Sequence, residues 1–203
     1  MTSFFARVDE VRRRWDVLRH PFYERWVRGE LAPSELAFYA GQYRHAVVAL
    51  ADSAAHAGDA RHAEEERSHV ELWDGFLHFA GGDIDAAATP ETEACAAAWA
   101  DTRRDRAATL ATLYAIEAAQ PAISETKLAG LTKHYGASAG SDATRYFDVH
   151  AVLDHAHAAH NRQQLVAVMQ SADEDRLLAE IELVLQANWQ LLDGCGCALS
   201  TNG

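Results

Sequence analysis

Apolar residues recur every three to four positions along most of the chain, which is the spacing of one face of an α-helix. Prolines, glycines and capping residues divide this pattern into about seven helices and one short additional piece. They are predicted over about residues 3–19, 21–28, 33–58, 59–79, 89–119, 122–136, 141–170 and 173–192. Since no segment shows the alternation typical of a β-strand, the chain is predicted to be all-α.

Start and stop signals support these boundaries. Pro33 with the following serine, and Thr89 with the following proline, are typical of helix beginnings, whereas Gly58 and Gly136 are typical of helix ends. There is no internal repeat and no clear change of composition. We therefore expect one helical domain over residues 1–193 and a flexible C-terminal tail over residues 194–203.

Composition and charge narrow the possible roles. With 203 residues and 49% hydrophobic residues, the chain can bury one sizeable core. The formal net charge of -12 argues against nucleic-acid binding and against binding to an anionic membrane surface. The longest apolar run, residues 46–51, is too short to span a membrane, and charge comes too early at the N-terminus for a secretory signal. We expect a cytoplasmic protein.

The stretch HAVLDHAH, residues 150–157, concentrates groups that can bind metal. On a helix His150, Asp154 and His157 lie within a sector of about 60°, because each residue advances the helix by about 100°. His155 points to nearly the opposite side. The alternative is that these histidines are simply solvated on an exposed helix.

A second segment carries a compatible pair. Glu66 and His69 are three residues apart, so they share one face of the helix over residues 59–79. A carboxylate and a histidine at this spacing on each of two helices is how helical dinuclear iron and manganese sites are built. Glu117 stands in an apolar stretch, where burial is costly unless the carboxylate is paired or bound to metal. Alternatively, Glu117 is exposed in a fraying last turn.

These nitrogen and oxygen donors suit iron or manganese better than structural zinc, and the chemistry that follows is O2 activation. The sequence contains no nucleophile elbow, no phosphate-binding glycine loop and no Rossmann fingerprint. Its three cysteines do not form a disulfide framework, because the number is odd and two of them, Cys195 and Cys197, lie in the predicted tail.

Four segments together resemble the haem-oxygenase-like helical superfamily, which includes the TenA thiaminases, the PqqC oxidase and the haem-oxygenase-like diiron oxidases. They are HPFYERWVRGELAPSELAFYAGQYRHAV, SHVELWDGFLHFAGG, LYAIEAAQPAISETKLAGLTKHYG and YFDVHAVLDHAH. The resemblance to the diiron branch implies a single-domain bundle, two iron ions or an iron–manganese pair, O2, an external reductant and a homodimer. It implies six metal ligands: Glu66, His69, Glu117, His150, Asp154 and His157.

Within this branch the chain resembles the para-aminobenzoate synthases, a group that includes the chlamydial protein associating with death domains and that consumes one of its own tyrosines. The resemblance implies that Tyr23 is the consumed tyrosine, Lys127 the amine donor and Tyr39 a further tyrosine near the site. One departure is that His62 stands where that group has a ligand glutamate, which leaves Glu65, Glu66 or His62 itself as the replacement.

Other interpretations remain open at this point. Tyr23 can be a core aromatic residue, and Lys127 can be a solvated helix lysine. The oxidant can act on an external amino acid, amine or fatty acid, by N-oxygenation, desaturation or C–C cleavage. The domain can also be a non-catalytic helical module that mediates interactions or binds metal.

Overall fold

The computed structural model describes residues 3–170 and 173–200, the last four without their side chains. Nine α-helices and one 3₁₀ helix, at Val17–Arg19, make up this part of the chain. The α-helices are α1 Phe4–Arg14, α2 Pro21–Arg28, α3 Pro33–Ala57, α4 Ala60–Ala80, α5 Pro90–Trp99, α6 Arg106–Glu117, α7 Gln120–His134, α8 Asp142–Val168 and α9 Glu174–Ser200. None of the described residues forms a strand, which confirms the all-α fold class.

Local sequence explains where several helices begin. The side chain of Thr89 accepts a hydrogen bond from the backbone of Thr92 at the start of α5, as the cap prediction requires. Asp59 caps α4 in the same way through the backbone nitrogen of His62. The helix pair α2 and α3 is separated at Gly29, whose φ of 71° is a left-handed conformation that favours glycine.

Three predicted boundaries differ from the structure. The helix predicted over 89–119 is two helices, because the chain turns at residues 100–105 and Asp105 caps α6 through the backbone of Ala108. The first helix ends at Arg14, and the 3₁₀ helix follows where the sequence predicted continuous α-helix. The last helix passes Leu192 and continues to Ser200, whereas residues 201–203 lie outside the described part. The first two differences add one α-helix and one 3₁₀ helix to the seven helices and one short piece predicted from the sequence.

The packing places α8 against three helices that surround the candidate site. Helix α8 contacts α4, α6 and α7, and α3 packs along α4. Helix α9 contacts α1, α3, α5 and α6. A metal site between α4, α6 and α8 is therefore inside the protein, where helices hold each side chain in place.

Large aromatic side chains fill the core beside this centre. Trp26 and Trp73 are completely buried, and their indole nitrogens donate to the carbonyl oxygens of Lys127 at 3.3 Å and Ala40 at 2.8 Å. Satisfying both donors removes the cost of burying them. None of the described helices is long and apolar enough to cross a membrane.

Candidate metal centre

Three helices direct acidic and imidazole side chains toward one point in the bundle. Helices α4 and α8 each contribute three residues at i, i+4 and i+7, and α6 contributes one from its last turn. Six of the seven side chains are at most 5% exposed, and His157 is 11% exposed. The seven residues, called the metal cluster below, are His62, Glu66, His69, Glu117, His150, Asp154 and His157.

The cluster contains two groups of potential ligands that share Glu66. His62, Glu117 and His157 surround Glu66 in the first group, with all four ligand atoms within 4.8 Å of one another. His69 and His150 complete the second group with the same carboxylate. Each group has the donor atoms of a metal site whose ligands project inward from facing helices.

Asp154 lies at the edge of the first group rather than within either one. Its Oδ1 is 3.4 Å from Nδ1 of His157, and that same nitrogen is 3.5 Å from Oε1 of Glu66. Asp154 is 1% exposed. Its position allows its carboxylate to ligate an ion or to orient His157.

Unsatisfied polar atoms show that this cluster fits metal ions. Eight of its buried nitrogen and oxygen atoms have no hydrogen-bond partner in the described part of the protein. His62 Nε2 lies only 2.9 Å from Oε1 of Glu117, yet the geometry is not that of a hydrogen bond. Buried polar atoms are rarely left without partners because their desolvation is costly. Bound metal ions would satisfy them together.

Outer hydrogen bonds orient two of the imidazoles. His150 Nδ1 is 2.6 Å from the carbonyl oxygen of Tyr146, so it carries the proton and donates, which leaves Nε2 free toward the cluster. His157 Nε2 is 3.2 Å from a carboxylate oxygen of Glu65, which leaves Nδ1 free toward the cluster. Such outer partners are typical of metal-binding histidines. Glu65, one of the substitutes considered from the sequence, thus contacts a cluster histidine from outside.

Sequence reasoning missed two residues at this site. His62 was considered only as a replacement for Glu66, but the structure brings both side chains into the cluster. Asn161 was not considered, and its amide donates a 2.6 Å hydrogen bond to Oε2 of Glu117. Helical spacing indicates both residues. His62 is four residues before Glu66, and Asn161 is four after His157, so each lies on the same helix face as a predicted ligand.

The buried acids and bases shift one another's pKa values. Burial raises the pKa of Asp154 to about 7, against the opposing effect of His157, and raises the pKa of Glu117 as well. Burial lowers the pKa of His150 to about 4, so its imidazole is neutral and able to ligate. Burial opposes charge on Glu66 too, but contacts with His62 and neighbouring imidazoles hold its pKa well below the usual range. Glu66 is therefore a carboxylate at neutral pH.

A second cluster of polar groups lies within the aromatic core. The hydroxyls of Tyr23 and Tyr39 are 3.1 Å apart, and both side chains are at most 1% exposed. Lys127 is equally buried, with Nζ 5.6 Å from the ring centre of Tyr23, 5.4 Å from that of Tyr39 and 4.5 Å from that of Tyr43. The structure therefore brings together all three residues predicted beside the metal site. Below they are called, with Tyr43, the tyrosine–lysine cluster.

Burial determines the protonation of this second cluster. It lowers the pKa of Lys127 well below the usual value, and the described residues give this amine no ion-pair partner. It raises the pKa values of Tyr23 and Tyr39 well above 10. The cluster therefore holds phenols that are protonated at neutral pH, beside an amine whose uncharged, nucleophilic form is stabilised by burial.

One layer of aromatic rings joins the two clusters. Tyr146 stacks on the imidazole of His150, with ring centres 3.9 Å apart and an angle of 23° between the planes. Tyr146 also contacts Trp73, whose ring lies 4.9 Å away and is itself 5.1 Å from the ring of Tyr43. The tyrosine–lysine cluster is thus adjacent to the metal cluster without contact with bulk water.

The fold and the buried carboxylate–imidazole cluster define an oxidoreductase with a haem-oxygenase-like helical bundle. Residues 56–189 match the haem-oxygenase-like family described as iron-containing redox enzymes, and the chain belongs to that family. This confirms the family resemblance and the enzyme class predicted from the sequence. It also excludes the non-catalytic module among the alternatives.

Similar proteins agree with this assignment. The chain is 30% identical to the 4-aminobenzoate synthase of Nitrosomonas europaea, covering 95% of this chain and 90% of that protein. It is 29% identical to the 4-aminobenzoate synthase of Chlamydia trachomatis serovar D, with 94% and 91% covered.

Two solved structures show the same fold. A domain with a haem-oxygenase-like fold from Shewanella denitrificans matches with a TM-score of 0.80 at 18% identity, covering 98% of this chain and 94% of that one. A TenA homologue from P. horikoshii matches with a TM-score of 0.67 at 18% identity, covering 92% and 95%. These likenesses confirm the single-domain haem-oxygenase-like bundle.

Proposed function

We propose that the protein is an O2-dependent dinuclear-metal oxygenase that makes 4-aminobenzoate from its own Tyr23. The observation that carries this proposal is the position of Lys127, whose buried amine lies among tyrosine rings next to the metal cluster. The relatives named 4-aminobenzoate synthase support the same product. A lysine amine beside a tyrosine combines a nitrogen source and an aromatic ring in one dry site.

The residues that would hold the metals are those of the metal cluster. His62, Glu117 and His157 would bind one ion, His69 and His150 the other, and Glu66 would bridge them. Asp154 would complete the first group or orient His157. Two iron ions, or an iron–manganese pair, would supply the activation of O2 and the oxidising power that no side chain has. Three carboxylates and four imidazoles suit such ions.

The protein's own groups position the reacting partners. Tyr39 holds the hydroxyl of Tyr23 through their hydrogen bond, which fixes the orientation of the phenol. Lys127 keeps its amine available as a nucleophile, because burial disfavours the ammonium form. The aromatic walls exclude water, so that the amine and the ring meet without competition from hydrolysis.

Further parts of the proposal concern partners. The chemistry requires an external reductant, because O2 activation consumes electrons that the tyrosine alone does not provide. We include in the proposal a cytoplasmic location, where such reductants are abundant, and a homodimeric assembly as in related helical domains.

Isotope labelling tests the internal source of both parts of the product. Full-length protein would be made with ring-¹³C₆ tyrosine or with ε-¹⁵N lysine, loaded anaerobically with Fe(II), and exposed to O2 with a reductant. We expect 4-aminobenzoate six mass units heavier from the first protein and one unit heavier from the second. Tyr23→Phe should give no product, whereas Tyr135→Phe, which alters a partly buried tyrosine outside the cluster, should leave the yield unchanged.

Peptide analysis separates this proposal from its alternatives. Cleavage after arginine releases residues 20–25, which contain Tyr23, and this peptide should lose mass in proportion to the product formed. An unchanged peptide together with O2-dependent turnover of an added amine, amino acid or fatty acid would replace the internal-tyrosine proposal by an external substrate.

A further inference from the structure

A cavity of about 320 Å³ opens at the surface beside the junction of α6 and α7. Helices α1 and α9 form its other walls, and neither cluster described above contributes a side chain to it. Its inner walls are apolar and consist of Val17, Ile116, Ile123 and Leu185. The volume lies at the small end of the range for small-molecule sites. One aromatic ring with short substituents fits such a space.

The inner end of the cavity offers an unsatisfied hydrogen-bond acceptor. Asn188 lines the cavity and is 6% exposed, and its Oδ1 has no hydrogen-bond partner in the described part of the protein. A buried amide oxygen without a partner carries a desolvation cost, which a bound N–H or O–H group would offset. The cavity is therefore suited to a ligand with a donor at its buried end.

The outer part of the cavity offers cationic groups. Arg12 contacts Asp9 at 3.3 Å and the carbonyl oxygen of Ala118 at 2.6 Å, while its Nε is buried without a hydrogen-bond partner. Arg13 is exposed, and no ion pair involves it among the described residues. Asp9 and Asp16 also line the cavity, but Asp9 pairs with Arg12 and Asp16 accepts from the backbone nitrogen of Leu18. Arg13 and the unpartnered Nε of Arg12 are therefore the groups available to an anionic ligand, especially a carboxylate.

The cavity lies next to the tyrosine–lysine cluster, because both Gln120 and Asn188 line it and interact with Tyr43. Gln120 lines the cavity, and its amide donates to the hydroxyl of Tyr43 at 3.5 Å. The ring of Tyr43 is in turn the one closest to the Lys127 amine, at 4.5 Å. The side chains of Gln120 and Tyr43 therefore lie between the Lys127 amine and this cavity.

We propose that this cavity binds aromatic carboxylic acids that carry an amine opposite the acid group, and that it holds 4-aminobenzoate on its way out of the protein. The carboxylate faces the arginines, the ring contacts the apolar walls, and the amine donates to Asn188. The identity of this ligand rests on the proposed function, whereas the preference for an aromatic acid rests on the cavity itself.

Calorimetric titration of 4-aminobenzoate into the full-length, iron-loaded protein under anaerobic conditions tests the proposal without turnover. Ala122 lines the cavity and is exposed, so Ala122→Trp should obstruct the opening without disturbing the core. We expect this variant to weaken binding at least about tenfold, since it removes the space for the ring. Ala129→Trp, an exposed change on the same helix outside the cavity, should alter binding less than about twofold and serves as the matched control.

Charge and ligand chemistry give independent readouts. Arg13→Gln should weaken binding about threefold, as expected for a partly solvated ion pair, whereas the exposed Arg19→Gln should have no effect. Aniline, which lacks the carboxylate, and benzoate, which lacks the amine, should both bind more weakly than 4-aminobenzoate. Thermal unfolding of each variant verifies that it is folded.

Several results would overturn this assignment. They are equal binding by wild type and Ala122→Trp, equal affinity for aniline and 4-aminobenzoate, or no saturable binding at millimolar concentration. The isotope experiment distinguishes the two proposals. If the labelled protein makes no 4-aminobenzoate but binding follows the cavity variants, the internal-tyrosine reaction fails and the aromatic-acid site stands. If labelled product forms but no cavity variant changes binding, the internal-tyrosine reaction stands and the aromatic-acid site fails.

Discussion

Asn161 donates a 2.6 Å hydrogen bond from Nδ2 to Oε2 of Glu117, and both side chains are buried. The bond leaves Oε1 of the same carboxylate directed toward His62. One oxygen is thus held by an amide on α8 while the other is available to a metal ion. Outer hydrogen bonds of this kind fix the orientation of ligands and tune metal affinity.

Replacing Asn161 should therefore weaken metal binding without removing a ligand. Asn161→Leu is expected to lower the affinity for Fe(II) by about ten- to a hundredfold, as is typical for outer-shell changes. It should also lower the free energy of unfolding by about 1–3 kcal/mol, because a buried carboxylate oxygen loses its donor. Anaerobic Fe(II) titration and urea unfolding measure the two effects.

Gln163→Leu is the matched control for this change. Gln163 is exposed on the same helix, two residues from Asn161, so its replacement should leave metal affinity as it is. Equal affinities of the two variants would mean that the hydrogen bond to Glu117 has no role in holding metal.

The shared position of Glu66 predicts a pattern of metal stoichiometry. His62→Ala and His69→Ala each remove a ligand from a different group, so each variant should retain about one tightly bound iron per chain. Glu66→Ala affects both groups and should retain fewer ions than either histidine variant. Elemental analysis after anaerobic loading and gel filtration gives the number of ions directly.

A histidine outside the cluster provides the comparison. His155 is exposed on α8, as the helical arithmetic predicts, so His155→Ala should bind as much iron as wild type. Two ions retained in His62→Ala would show that this histidine is not a ligand. The first group would then consist of two carboxylates and His157.

Helical periodicity predicted most of the candidate site. The i, i+4, i+7 arithmetic on α8 correctly placed His150, Asp154 and His157 on one buried face, and the cost of an apolar environment correctly marked Glu117 as buried. Both inferences use only the position of a residue within its own helix and the residues next to it in the sequence. The resemblance added Tyr23 and Lys127, whose proximity depends on tertiary packing that no periodicity reveals.

The errors in the prediction have physical causes as well. The break between α5 and α6 was missed because residues 100–105 contain neither proline nor glycine. What ends the helix there is tertiary, since the Arg104 guanidinium is buried and donates to the carbonyl oxygen of Ala98 and to Glu180 on α9. His62 stands where the resemblance implies a glutamate, and this comparison of single positions does not show that His62 and Glu66 both enter the cluster. The two positions His62 and Glu66 occupy one helix face together.

The pair of buried Arg104 and half-buried Glu180 gives a prediction about stability. Nε of Arg104 lies 2.8 Å from Oε2 of Glu180, and the arginine is 7% exposed. Glu180→Ala should lower the free energy of unfolding by about 1–2 kcal/mol, because the buried guanidinium loses its charged partner and keeps only its hydrogen bond to Ala98. Glu64→Ala, which breaks a pair exposed on α4, should cause little change. Urea unfolding measures the free energy of unfolding of both variants. An equal change in the two variants would show that the pair of Arg104 and Glu180 does not stabilise the turn between α5 and α6.

Burial of Lys127 should make stability rise with pH, in the direction opposite to that of a lysine that gains an ion-pair partner on folding. Burial lowers the pKa of Lys127 in the folded protein, so between that value and about 10.5 the unfolded chain binds a proton that the native protein does not. The native state consequently gains stability as pH rises through this window, by up to about 1.4 kcal/mol per pH unit. Lys127→Met removes this dependence and should be more stable than wild type at pH about 7, since methionine fits the aromatic surroundings without desolvation cost.

The measurement is urea unfolding of wild type and Lys127→Met at several values between about pH 7 and about pH 9. The stability advantage of the variant should shrink steadily as pH rises, because only wild type gains from the deprotonated amine. Lys133→Met, an exposed change on the same helix, should differ from wild type by the same amount at every pH. If the advantage of Lys127→Met were also constant, the amine would be charged in the folded protein. It could not then serve as the nucleophile that the reaction with Tyr23 requires.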